Sequence, residues 1–151
     1  MAQTTASING AAATVSLKVG AGSYVDISGS TQSVDAATAT VMNSEAYTLD
    51  GSGSIVYVGK FEPVEVTVNI LYTETAATEG FILVQDAFKN KTAVQLKWVP
   101  RGAASGANTI ETMATGYITS MDFPAVDASS ADALMVSFVV KCPGITYTEV
   151  A

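Results

Sequence analysis

The residues of this chain that could do chemistry are few and scattered. Histidine is absent and Cys142 is the single cysteine, so the Ser-His-Asp and Cys-His arrangements of nucleophilic catalysis cannot be built. Two pairs of carboxylates lie close in sequence, Glu62 with Glu65 and Asp127 with Asp132. Paired carboxylates can hydrolyse glycosidic bonds, but scattered acidic residues on a β-domain are usually solvated. We therefore expect no enzyme activity.

No metal or cofactor site is indicated by the remaining candidates. The stretch D50-G-S-G-S54 lacks the spaced carboxylates and the final Glu of a calcium loop, so it is read as a turn. Cys142 ends the apolar row of the segment 134–142, which predicts a buried, inert thiol. A lone cysteine also excludes an intrachain disulfide. We expect neither a metal nor a cofactor.

Composition limits the partners this chain could have. Its 151 residues suit a single domain, residues 1–151. A net charge of −7 without a basic run excludes binding of nucleic acid by phosphate neutralisation. Charged residues make up only 14%, below the usual ~25%, so the surface must be rich in Thr, Ser, Gly and Ala. Such a surface favours assembly with copies of itself, although low-charge secreted β-domains share it.

Targeting signals are not evident in the sequence. The start, M-A-Q-T-T-A-S, has neither a basic region nor a long apolar run, so no signal peptide is expected. No stretch of about 20 apolar residues exists to span a membrane. We expect a protein that is made and assembled in a cytoplasm, without a membrane partner.

A strand, a helix and a second strand form the centre of the predicted fold. Residues 64–72, V-E-V-T-V-N-I-L-Y, alternate apolar and polar side chains, as in a half-buried strand. Residues 79–90 place Phe81, Val84 and Phe88 on one helical face, with Ala87 alongside them and Thr78 as N-cap. Residues 94–98, V-Q-L-K-W, alternate again.

The rest of the chain predicts β-structure laid around this centre. Residues 14–19 and 24–28 predict a hairpin, and residues 113–123 predict a strand with Tyr117, Thr119, Met121 and Phe123 on one face. Residues 134–142 predict a regular strand and 145–150 a short terminal edge. With about eight strands and one helix, the fold class is mainly β: an antiparallel β-sandwich or partly closed barrel with one flanking α-helix.

Two segments do not fit that core. Residues 1–13 are small and polar and predict an N-terminal arm that is weakly ordered alone. Residues 29–54 form a long loop or hairpin insert that is poor in core side chains. A connection of this length is usually functional or disordered. It is either a protruding assembly loop or a floppy surface insertion.

The order and spacing of these elements resemble the tail tube (major tail) proteins of long-tailed bacteriophages. The matching features cover roughly residues 14–142 and end in a terminal strand; they are Y24-V-D-I-S-G29, the insert, V64–E74, the helix E79–N90, V94–G102 and G116–D127. The resemblance implies a β-sandwich subunit that self-assembles into hexameric rings, which stack into a hollow tube in the virion tail. It also implies tape-measure, tail-tip and tail-terminator partners, and DNA that passes through the lumen during ejection without specific binding.

The resemblance suggests roles for particular residues. Six copies at −7 would bring about −42 to each ring, and an acidic lumen would repel DNA phosphates. We expect the lumen to be lined by four side chains: Glu65, Thr67, Asn69 and Asp122. Contacts between subunits or rings are expected at Asp35, Val41, Met42, Glu45, Tyr47, Leu49, Asp50 and Arg101. For Arg101, which lies between Pro100 and Gly102, the sequence alone favours a solvated loop charge over an interface anchor.

Two other readings stay open from the sequence. One is a non-enzymatic virion decoration or adhesin-type β-sandwich binding module, which predicts aromatic side chains in exposed loops. Most aromatic residues here fall in predicted strands or the helix, which disfavours it. The other is an enzyme that uses carboxylates, for which no constellation is visible.

Overall fold

A computed structural model describes residues 7–102, 104 and 106–148. These residues form eleven strands, one α-helix and a 3₁₀ helix at Gly10–Ala12. The elements in chain order are β1 Thr14–Val19, β2 Val25–Asp26, β3 Thr31–Val34, β4 Val41–Ala46, β5 Ile55–Phe61, β6 Val64–Leu71, α1 Gly80–Asn90, β7 Val94–Val99, β8 Thr109–Thr112, β9 Tyr117–Met121, β10 Met135–Cys142 and β11 Ile145–Thr148. The α-helix has eleven residues, and no helix in the described ranges has the length and hydropathy needed to cross a membrane.

Two antiparallel sheets pack face to face. The five-stranded sheet has the order β11-β8-β7-β1-β2, and the four-stranded sheet has the order β3-β6-β10-β9. Within the described ranges, strands β4 and β5 form a separate two-stranded sheet with each other. The predicted mainly-β antiparallel sandwich with one flanking α-helix is therefore confirmed, and the sheets do not close into a barrel.

The core is built from the alternating strands. In β6, the side chains of Val64, Val66, Val68 and Ile70 are buried, and β10 contributes the next row in full register: Val136, Phe138, Val140 and Cys142. Burying one such aliphatic side chain stabilises the fold by about 1.5–3 kcal/mol. The predicted central strand and the regular strand near the C-terminus are thus the two central strands of one sheet.

The helix closes one side of this core. Its N-cap is Glu79, not Thr78 as predicted, and the Glu79 carboxylate accepts a hydrogen bond from Thr75 instead of capping the helix. The buried stripe is Phe81, Val84 and Ala87, while Phe88 is partly exposed. The stripe differs from prediction because the sheet contacts the side of the last turn that carries Ala87, not Phe88.

The region after β7 differs from the sequence-based prediction. Residues 109–112, for which the sequence pattern predicted no strand, form strand β8. The predicted strand 113–123 is shortened to β9. A β-bulge at Thr119, opposite the step from Val139 to Val140 in β10, changes which β9 side chains face inward. As a result Ile118 and Met121 contact the core, whereas Tyr117, Thr119 and Phe123 are exposed.

The insert contributes to two different parts of the fold. Strand β3 joins the four-stranded sheet, and the following strand β4 forms a hairpin with β5. Strand β3 pairs with β6 at the edge of the four-stranded sheet, so residues 31–34 belong to the sandwich. Strands β4 and β5 then form a separate hairpin from Val41 to Phe61, around the predicted turn at 50–54. The predicted boundary at residue 54 is wrong, because the apolar strand that follows pairs with the insert and not with the core.

Candidate assembly surfaces

The outer face of the four-stranded sheet gathers the four residues predicted to line a lumen. Alternation along β6 places Glu65, Thr67 and Asn69 opposite the core. Asp122 follows β9, and its backbone N–H donates to the carbonyl oxygen of Ser137 at 2.8 Å. Ser137 is the β10 partner of Asn69, so all four side chains share one face. We call this face the acidic face.

Hydrogen bonds hold the side chains of the acidic face in a row across the strands. The Asn69 amide Nδ2 donates to Ser33 Oγ at 2.9 Å and to Asp35 Oδ1 at 3.3 Å. On the other side, the Ser137 hydroxyl donates to Asp122 Oδ2 at 2.6 Å. Asp35 was expected at contacts made by the insert, but the structure places it beside Asn69 on the acidic face.

The charge of the acidic face is weakly negative. Asp35, Glu65 and Asp122 are set against one cation, Lys141, whose Nζ lies 3.6 Å from Glu65 Oε1. Three carboxylates and one ammonium leave −2 per subunit. The ion pair is solvent-exposed, so it contributes at most about 1 kcal/mol. Among the described residues no group of three or more His, Cys, Asp or Glu is placed to hold a metal.

The outer face of the five-stranded sheet has a different charge balance. Lys97 Nζ lies 4.1 Å from the ring centroid of Tyr24, and Lys18 Nζ lies 5.9 Å from it. Lys97 also faces Glu111 across the β7–β8 pair. Partial burial raises the pKa of the Tyr24 hydroxyl, and the neighbouring Glu111 carboxylate adds to the effect. With Asp26, which pairs with Ser16 of β1, as the second acid, two cations oppose two carboxylates among the described residues of this face.

The β4–β5 hairpin is apolar and uncovered. Both of its faces carry large exposed hydrophobic side chains, since it packs against neither sheet; we call the set the hairpin surface: Met42, Tyr47, Leu49, Ile55, Val56, Tyr57, Val58 and Phe61. Contiguous exposed apolar patches of this kind mark interaction sites. An isolated two-stranded hairpin is also marginally stable in water. These two properties make the hairpin surface a candidate assembly surface.

The predicted contact residues of the insert lie on or beside this surface. Met42, Tyr47 and Leu49 belong to it, with the exposed carboxylates of Glu45 and Asp50 beside them; Val41 at its base is half-buried. Sequence reasoning missed the members on β5, from Ile55 to Phe61. The run I-V-Y-V-G does not alternate in polarity, which was the available signal that both faces of this strand need cover.

Arg101 borders a pocket that sequence reasoning did not find. The pocket has a volume of about 330 Å³ and is lined by Ile8, Pro100, Arg101, Asn108, Ile110 and Tyr147; we call it the Arg101 pocket. Its loop is fixed by Gly102, whose φ is +65° and where a Cβ would overlap the carbonyl oxygen of Ala12. The lining residues come from distant parts of the chain, so no local pattern could predict them.

The fold of this chain is also found in other solved structures. No protein family profile and no curated protein matches the sequence, but several solved structures share its fold. A chain of the anti-feeding prophage baseplate, solved with six-fold symmetrisation, aligns with a TM-score of 0.73 at 11% identity, over 99% of each chain. A chain of the PVC sheath-tube complex, an extracellular contractile injection system, has a TM-score of 0.67 at 14% identity, over 90% of this chain and 88% of its own.

A third structure comes from a phage tail. The SPP1 tail tube, solved by solid-state NMR and cryo-EM, aligns with a TM-score of 0.65 at 14% identity, over 95% of this chain and 80% of its own. At such identities the likeness establishes the fold. The chain thus has the fold of phage and injection-system tail tube proteins, which confirms the resemblance seen in the sequence.

Proposed function

We propose that this chain is a structural subunit that self-assembles into stacked hexameric rings, forming the hollow tube of a phage tail. The hairpin surface is the observation that carries the proposal, because its apolar side chains are exposed on both faces within a single chain. The six-fold symmetry of the anti-feeding prophage baseplate structure supports the ring number. By the same likeness, the subunit belongs in the virion tail, with tape-measure, tail-tip and terminator proteins as partners.

Assembly would bury the apolar hairpin surface and cover the open strand edges of the isolated subunit. Each Å² of apolar surface removed from water contributes roughly 25 cal/mol, and stable interfaces bury on the order of 1,200–2,000 Å² in total. The outermost strands β3 and β9 of one sheet and β2 and β11 of the other are unpaired on one side among the described residues. Open strand edges are aggregation hazards unless covered, and neighbouring subunits would cover them.

The acidic face is the one that suits a lumen for DNA. A charge of −2 per subunit gives about −12 in a ring of six from this face alone, which repels phosphates and allows DNA to slide during ejection. The outer face of the five-stranded sheet is less suited, because Lys18 and Lys97 would contact phosphates. Glu65, Thr67, Asn69 and Asp122 would then be the lining side chains, joined by Asp35.

Electron microscopy and sedimentation velocity of the purified chain test this proposal. The wild-type protein should form rings or hollow tubes in negative stain, and a strictly monomeric protein at all concentrations and salts would overturn it. The double variant V56D/V58D places two charges on the hairpin surface and should yield a folded monomer by circular dichroism. The control V126D makes the same change at a valine that is 83% exposed in the β9–β10 loop, and should still assemble.

A virion decoration or adhesin-type binding module is the second candidate. Two aromatic side chains in loops, Tyr47 and Phe123, are exposed, as a binding module would require. This candidate expects a stable monomer that binds a different partner. The same sedimentation experiment separates the two candidates, since only the tube subunit assembles alone.

A further inference from the structure

We propose that the tip of the hairpin surface of one copy docks into the Arg101 pocket of a second copy. The tip consists of Tyr47, Leu49 and Asp50. The inference rests on the proposed function and deepens it, because it names the surface that receives the hairpin.

The side chains of the tip are exposed among the residues that the structure describes. Leu49 is fully exposed and Tyr47 is 76% exposed, and the Tyr47 hydroxyl donates to the nearby Glu45 Oε2, at 3.3 Å. A bulky aliphatic side chain at the end of a projecting hairpin gains free energy only when it enters an apolar site. The tip therefore presents an exposed apolar side chain that is available for burial in an interface.

The Arg101 pocket has the size and the apolar lining to receive the side chains of the tip. Its 330 Å³ equal the liquid volume of about eleven water molecules at ~30 Å³ each, enough for a leucine side chain with part of a tyrosine ring. Its walls are Pro100 and Ile110, and its rim carries the exposed side chains of Ile8 and Tyr147. Tyrosine and arginine side chains dominate the binding energy of many protein interfaces.

Charge complementarity favours this pairing. Asp50 directly follows Leu49, so an apolar anchor and a carboxylate are adjacent on the tip. In the pocket, Arg101 is the only charged residue of the six that line it. A guanidinium group binds a carboxylate through two parallel hydrogen bonds. Docking Leu49 between Pro100 and Ile110 would bring Asp50 to the rim where Arg101 lies.

The tip cannot reach the pocket of its own chain. Ile110 and Tyr147 of the pocket also line a groove against residues 34–37, near the base of the hairpin. The seven residues of β5 separate base from tip by roughly 20 Å, at ~3.4 Å per residue. The contact must therefore join two copies through two different surfaces. Repeated head-to-tail contacts of this type generate rings or helical filaments.

Disulfide cross-linking tests the contact directly. The native Cys142 is buried, so introduced cysteines react against a silent background. Chains carrying Leu49→Cys and Tyr147→Cys are prepared separately, mixed and oxidised, and a disulfide-linked dimer is expected on a non-reducing gel. The control pairs Leu49→Cys with Lys89→Cys on the exposed end of the helix. A yield of dimer no higher than in this control, or than in either chain alone, overturns the docking.

A charge exchange gives an independent readout. Asp50→Arg and Arg101→Asp should each raise the protein concentration needed for assembly by about tenfold or more, which corresponds to 1.4 kcal/mol. The double variant should recover assembly, because the ion pair is restored in reverse. Additive losses in the double variant would contradict the pairing. If wild-type chains assemble while both tests fail, only the docking is wrong; if wild-type chains never assemble, the proposed function fails with it.

Discussion

The Ser137 hydroxyl donates to the Asp122 carboxylate across the β9–β10 pair, at 2.6 Å, and the Asp122 backbone N–H returns a bond to the Ser137 carbonyl oxygen at 2.8 Å. This reciprocal pair holds an acidic side chain just beyond the end of β9. Together with the bonds that Asn69 donates to Ser33 and Asp35, it makes the acidic face an ordered row and not a set of freely moving side chains. The four strands therefore determine where the carboxylates of this face lie.

Reversing the charge of the acidic face should make the assembled particles, that is the rings or tubes, bind DNA. The variant E65K/D122K changes the face from −2 to +2, because each reversal adds two charges. We expect duplex DNA to bind inside the particles and to be protected from nuclease, whereas wild-type particles bind none. The logarithm of the binding constant should fall with the logarithm of salt concentration, with a slope of about −0.9 per phosphate contacted.

The matched control for this prediction lies on the other sheet. Glu111→Lys reverses a carboxylate on the outer face of the five-stranded sheet, opposite Lys97. DNA that binds there should stay open to nuclease. Protection of DNA by the Glu111→Lys particles, and not by E65K/D122K, would mean that the five-stranded sheet lines the lumen.

The same substitution should have different effects in the core and in the hairpin. Ile70→Val removes a methylene from a side chain that is 0% exposed and should lower the free energy of unfolding by about 0.5–1.5 kcal/mol. Ile55→Val removes a methylene from a side chain that is 45% exposed. It should change the free energy of unfolding of the monomer by less than about 0.5 kcal/mol while weakening assembly. Urea unfolding and sedimentation measure the two effects; equal losses of monomer stability would contradict the exposed hairpin.

Thr112 should be intolerant of an isosteric apolar replacement. Its side chain is fully buried, and its Oγ1 accepts a hydrogen bond from the Leu96 backbone N–H at 2.9 Å, which extends the short β7–β8 pairing. Thr112→Val leaves that N–H buried without an acceptor and should cost about 1–3 kcal/mol in the free energy of unfolding. Thr112→Ser keeps the hydroxyl and should cost less. If the valine variant unfolds at the higher urea concentration, the hydrogen bond is not what stabilises the pair.

Cys142 should be unreactive in the folded protein. Burial raises the pKa of the Cys142 thiol, whose Sγ lies 3.2 Å from the Gly144 carbonyl oxygen. A folded-state pKa above the unfolded value of about 8.5 means that the contribution of the neutral thiol to stability is complete below that pH. It is lost as pH rises through the folded pKa. We expect slow reaction with a thiol reagent at pH 8, fast reaction in urea, and a flatter alkaline decline of stability in Cys142→Ala; fast labelling of the folded wild type would disprove the burial.

Local patterns predicted the parts of the fold whose signal is local. The alternation of β6 and of β10 identified two central strands and their buried rows, because period two along a strand follows from backbone geometry alone. The helix was placed within one residue, but its buried side was misjudged at Phe88, since only the packed sheet determines which side of the last turn is covered. The face of β9 was misjudged at Ile118 because a β-bulge at Thr119, which has no partner on β10, breaks the period-two alternation of β9.

The candidate surfaces were likewise predictable only where their signal in the sequence is local. Alternation was enough to place Glu65, Thr67 and Asn69 on one face, and the weak core character of residues 41–50 was enough to suggest a contact surface. Asp35 joined the acidic face only because β3 pairs with β6. The Arg101 pocket could not be predicted, because Ile8, Ile110 and Tyr147 meet only after both sheets have formed.

By itself, the sequence determined that this protein is a low-charge, acidic β-domain without histidine chemistry, arranged like a tail tube subunit. These properties depend on composition and on the order of elements, which are present in the unfolded chain as well. The tertiary structure decided that β5 belongs to a projecting hairpin, that Asp35 joins the acidic face, and that a pocket lies beside Arg101. Those features depend on pairing between residues far apart in the chain, and only the folded backbone brings such residues together.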